Sequence, residues 1–149
     1  MKTEQTYPRY VEWLSAEEMH NASREWLSEL RFMKDEHHFY EDLITSFTMQ
    51  MLEQDKFPEN KKVIDAINHS KKRTASLIGE IMKHENELEI MVDGIDQPKE
   101  ESAYKEEHRR LIAVMNQFIP EYRNLKGQLF GIIKDIRIKE KQSRLIDRK

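Results

Sequence analysis

The sequence predicts an all-α fold: an antiparallel bundle of three long helices, at about 15–55, 58–94 and 98–145, with coiled-coil-like packing. Three observations predict it. Apolar residues recur at alternating spacings of three and four. The clearest run is His108, Leu111, Met115, Phe118, Tyr122, Leu125, Leu129, Ile132 and Ile136, the seam of a helix lying lengthwise on other helices. Helix breakers are scarce, with 4 Gly and 4 Pro in 149 residues, so long helices are not interrupted. Finally, Phe57-Pro58 and the stretch Asp93-Gly94 to Pro98 fall between the periodic segments. Two short turns between three long helices force an up-down-up path.

Residues 1–14 form an N-terminal arm. Pro8 breaks any early helix, and Tyr7, Tyr10, Trp13 and Leu14 are bulky for a free tail. The arm is expected to fold onto the end of the bundle or to dock a partner. A fourth helix would come from this arm or from a dimer partner.

The first helix opens at Ser15-Ala-Glu-Glu18, a hydroxyl at the cap with a carboxylate three residues on. Its stripe runs Ala16, Met19, Ser23, Trp26, Leu30, Met33, His37, Tyr40, Ile44, Phe47, Met51. The helix is expected to continue to about Asp55.

The second helix starts near Pro58, suited to a first turn. Its stripe is Val63, Ile67, Ser70, Thr74, Leu77, Ile81, His84, Leu88, Met91, with Ser70 and Thr74 weakening the middle. Asp93-Gly94 supplies the stop, and Asp96-Gln97-Pro98 the next cap and first turn. The third helix carries the opening seam through Pro120 without a change of phase, so it should bend there rather than end. Residues 15–145 thus read as one bundle domain and 146–149 as a frayed basic tail.

Composition excludes several classes. There is no cysteine, hence no disulfide, thiolate metal site or thiol nucleophile. No apolar run approaches the roughly 18 residues a membrane span needs, and the N-terminus has no apolar signal core. These features point to a cytoplasmic protein without a membrane partner. No nucleophile elbow or glycine-rich phosphate loop occurs, which points away from catalysis.

Charge is uneven. Residues 132–149 hold seven bases and three acids, so this tail is +4 while the net charge is −3. Arg137, Lys139, Lys141 and Arg144 are the candidate contact bases of this tail. They suit an acidic partner, including another copy's acidic end. Nucleic acid is disfavoured, because the tail has no aromatic residue for base stacking.

Two constellations stand out. Phe32 and Phe39 sit one heptad apart on the far flank of the first helix, with Leu43 between them and the seam; Phe130 is similarly off-seam. They lie under the arm or form a self-association face. The second constellation is polar. With turns centred near 57 and 96–97, residue n of the second helix lies level with about 193 − n of the third and 114 − n of the first. His84 then meets His108, with Glu85, Glu107 and Glu29 close by, and His37 about two turns away.

A histidine–glutamate layer in a core satisfies its own hydrogen bonds and pins helix register. The same residue types suit a transition metal. The Glu-x-x-His spacing of dimetal bundles is absent, since Ile81 and Lys105 stand three residues before His84 and His108. The expected function is non-catalytic protein–protein interaction or self-association, as a homo-oligomer or with another protein and without a cofactor. The alternatives are a metal-binding bundle using His84, His108, Glu85 and Glu107, and a nucleic-acid contact through the tail.

Overall fold

The computed structural model describes residues 14–53, 56–93 and 98–147. The elements are α1 (Ala16–Ser46), α2 (Thr48–Leu52), α3 (Phe57–Asp93) and α4 (Pro98–Asp147). Every element is helical, and α1, α3 and α4 pack as an all-α bundle. The N-terminal arm with its aromatic residues, the Gly94 stop and the Asp96 cap lie outside the described residues.

Direction follows from the cross-helix contacts. His20 pairs with Glu85 and His37 with Ser70, so α1 and α3 are antiparallel. His84 meets His108 and Glu80 meets Arg110, so α3 and α4 are antiparallel. Glu36 meets Lys126 and Gln50 meets Glu140, so α1 and α4 run parallel. Leu30, Leu77, Ile81, Leu111, Met115 and Leu129 are fully enclosed where the three apolar stripes meet. Burial of such side chains is the main favourable term for the fold.

The α1 start is the expected capping box. Ser15 Oγ accepts from Glu18 N–H at 3.1 Å, and the Glu18 carboxylate accepts from Ser15 N–H at 3.4 Å. The α1 end departs from expectation. The helix stops at Ser46, and Phe47 takes φ −108° and ψ 12° before the five-residue α2. No glycine or proline signals this. Thr48 Oγ1 donates to the Ile44 carbonyl at 2.7 Å, and the backbone bonds Phe47 N–H to Leu43 O and Met51 N–H to Phe47 O run on across the interruption.

The α1–α3 register also differs from expectation. His37 lies level with Ser70, not with the expected Leu77, a shift of about a heptad. Most of that shift follows from the turn: α2 ends at Leu52 and α3 starts at Phe57, so the chain reverses before the Phe57-Pro58 pair on which the expected register was centred. The α3–α4 register stays within a few residues of expectation. The helix α4 passes through Pro120 as one 50-residue element and remains helical to Asp147, beyond the fraying expected at 146.

The bundle is lopsided. Both α1 and α4 lie close against α3, whereas their own backbones hardly approach each other. A groove of about 770 Å³ remains between them.

Candidate functional site

Two places gather the predicted residues. The first is the imidazole layer. His84 on α3 and His108 on α4 are 1% and 0% exposed, with His84 Nε2 and His108 Nδ1 2.9 Å apart. Tyr104 stacks on His84 at 4.0 Å between ring centres with planes 2° apart, and Trp26 lies 5.1 Å from His108. The order is Trp26, His108, His84, Tyr104. Core positions on three helices place these four rings at one level.

Protonation follows from the geometry. One ring must donate and the other accept, so the two rings cannot both be charged. The outer nitrogens, His84 Nδ1 and His108 Nε2, have no hydrogen-bond partner among the described residues. Burial pushes both pKa values down to about 4, because a charged imidazole loses its hydration there. For His84, the Glu107 carboxylate acts upward and Arg110 downward. For His108, the second imidazole also acts downward.

The carboxylates do not join the pair. Glu85 takes His20 Nδ1 at 2.5 Å, and Glu107 takes a two-pronged contact from Arg110, which also reaches Glu80 at 3.0 Å. Glu29 lines the α1/α4 groove instead, since the heptad shift brings Trp26 to the layer in its place. Among the described residues no three His, Asp or Glu side chains converge on one point. His37 sits apart: its Nδ1–H donates to the Met33 carbonyl at 2.7 Å, leaving Nε2 to accept from Ser70 Oγ at 3.1 Å. Ser70, expected to weaken α3, thus serves as the partner of a buried imidazole.

The second place is the groove between α1 and α4. Phe32, Met33, Ile119 and Tyr122 supply its apolar lining, Arg24, Glu25, Glu29 and Glu36 are the charged residues of the α1 wall, and Arg123 and Lys126 those of the α4 wall. Phe32 is 63% exposed, Phe39 53% and Phe130 39%. Phe130 makes an edge contact with Tyr40, and Leu43 is half-buried.

At the floor is a network that the sequence reading did not single out. Glu36 accepts from Tyr122 OH at 2.6 Å and from Lys126 at 2.5 Å, and Tyr122 OH meets Tyr40 OH at 2.9 Å. Burial alone would raise the Glu36 pKa, but the hydrogen bonds from Lys126 and Tyr122 outweigh it and the carboxyl ends below its ordinary value. Burial and the same network raise the Tyr122 hydroxyl. The available signal was two tyrosines on core stripes of different helices, since a buried hydroxyl needs a partner.

The tail bases Arg137, Lys139, Lys141 and Arg144 are exposed on the last turns of α4. Arg137 lies over the Phe47 ring, 5.6 Å from its centre. No helix among the described residues is long and apolar enough to cross a membrane. Comparison of the chain with family models, with curated proteins and with solved structures returned no match.

Proposed function

We propose that this chain is a non-catalytic helical-bundle protein that works by protein–protein interaction, with a second copy of itself as the first partner. The observation that carries the reading is the open groove between α1 and α4 flanked by exposed Phe32 and Phe39. Phenylalanines exposed at a groove with charged walls are the composition of a contact surface, aromatic anchors inside and a polar rim around them. Light scattering at micromolar concentration should give a mass above that of one chain. Phe32→Ser combined with Phe39→Ser should return it to one chain with helicity unchanged. A wild-type protein that stays at one chain mass throughout defeats the self-association reading.

A second reading, transition-metal binding, is favoured by one observation, the 2.9 Å approach of His84 and His108. Glu85 or Glu107 would have to leave its present partner to complete the ligand set. On that reading, added Zn²⁺ or Co²⁺ raises the melting temperature of the wild type and not of His84→Leu. Equal response of the two, or none, removes it.

A further inference from the structure

The groove between α1 and α4 begins close to the point where residues 1–13 join the bundle. Leu14 and Met19 belong to the same apolar cluster. A hydrophobic residue just before the cap Ser15 and another at the fourth helical position have the spacing of a hydrophobic staple, which sets the angle at which a chain enters its helix. From Ser15, the first lining residue Asn21 is about 9 Å along the axis and the last on α1, Glu36, about 32 Å, at 1.5 Å per residue. Thirteen extended residues reach about 43 Å, so residues 1–13 can spend about three residues on a reversal and still run the length of the groove.

The chemistry matches on both sides. The groove walls carry three acids, Glu25, Glu29 and Glu36, and three bases, Arg24, Arg123 and Lys126. Residues 1–13 carry two of each, Glu4, Glu12, Lys2 and Arg9. Neither side has a net charge that repels the other or calls for a strongly charged partner. The floor is apolar at Phe32, Met33, Ile119 and Tyr122. The segment offers Tyr7, Tyr10 and Trp13, aromatic bodies with polar tips that suit a surface apolar below and wet above. Pro8 favours extended backbone at the residue before it. Extended backbone needs hydrogen-bond partners, and Asn21 and Ser28, one heptad apart in the groove, supply an amide and a hydroxyl.

Resting on the reading of this groove as the contact surface, we infer that residues 1–13 fold back along the groove of their own chain and cover Phe32, so that a second copy gains the groove only by displacing them. The covalent tether decides for the chain's own segment. It meets the groove at an effective concentration in the millimolar range, whereas a second copy at micromolar concentration is roughly a thousandfold more dilute. With the reversal at residues 11–13, Tyr7 stands about level with Asn21 and Thr3 about level with Phe32. The segment thereby sets the concentration at which copies associate.

The test uses the full chain, which has no cysteine of its own, so two can be introduced as a ruler. Gln5→Cys with Ser28→Cys should close a disulfide within one chain under mild oxidation. Gln5→Cys with Lys34→Cys, the second position lying about 200° around α1 from Phe32, should close roughly tenfold more slowly. In analytical ultracentrifugation, Tyr7→Ser with Tyr10→Ser should strengthen self-association roughly threefold or more, because the cover is weakened. Equal closure rates for the two cysteine pairs, or disulfides formed only between chains, overturn the inference and leave self-association standing. Self-association that the tyrosine variant leaves unchanged or weakens overturns the competition between segment and second copy. Selective closure in a chain that is monomeric with and without the tyrosines upholds the placement of the segment and defeats the self-association reading.

Discussion

Lowering the pH from 7 to 5 should destabilise this protein strongly, before most carboxylates are protonated. The cause is the pair His84 and His108. Burial holds both pKa values at about 4 in the folded chain, against 6.5 for a free imidazole. Between pH 6.5 and 4 the unfolded chain therefore binds more protons than the folded one. Stability is full above pH 6.5 and falls as pH drops towards 4. The loss is on the order of 3 kcal/mol for each imidazole once both states are fully separated.

The surroundings set the sign. Tyr104 and Trp26 cover the rings with apolar faces. Glu107 is the one carboxylate that attracts a proton to His84, and Arg110, which holds Glu107, opposes it. His20 and Glu85 are occupied with each other. His37 titrates in the same direction, its pKa lowered chiefly by burial.

Urea melts at pH 7, 6 and 5 measure the slope. The double variant His84→Leu with His108→Leu should flatten most of it and cost little at pH 7, since removing both polar partners together leaves no orphan. Either single variant should be worse than the double, because it strands one buried imidazole. A wild-type stability independent of pH between 7 and 5 would contradict the geometry of the pair.

Glu36→Ala should cost about 2 kcal/mol, the range for hydrogen bonds to a charged acceptor in a partly buried setting. This carboxylate joins α1 to α4, whose backbones scarcely approach, and it holds both Tyr122 and Lys126. Lys126→Met should cost clearly less, because its side chain is 35% exposed and Glu36 keeps Tyr122. A double-mutant cycle in urea would show coupling between the two. The Glu36 contribution also has a pH signature: with the folded pKa lowered, it is present above 4.5 and lost as pH falls below that. It is therefore separable from the histidine slope. Equal costs for the two single variants would mean that Tyr122 gains nothing from Glu36.

The sequence by itself determined the helices and their order. Alternating spacings, a capping box at Ser15 and breakers at two places are local features, and local features specify local structure. It also determined that His84 and His108 share a level, because a short connection between α3 and α4 leaves little freedom in how two antiparallel helices align. What lay beyond it depends on contacts far apart in the chain. The irregular residue Phe47 between α1 and α2 is marked by no glycine or proline. The reversal between Leu52 and Phe57, earlier than Pro58 suggests, accounts for most of the heptad by which α1 is displaced, a displacement that puts Trp26 rather than Glu29 beside His108 and Glu29 at the groove. The partner of Glu85, His20, comes from a neighbouring helix, whereas Glu107 is taken by Arg110 three residues on along its own helix, a pair the spacing allows. The groove itself is a tertiary outcome: periodicity says that each helix has an apolar face, but only packing decides which two of three helices stay apart.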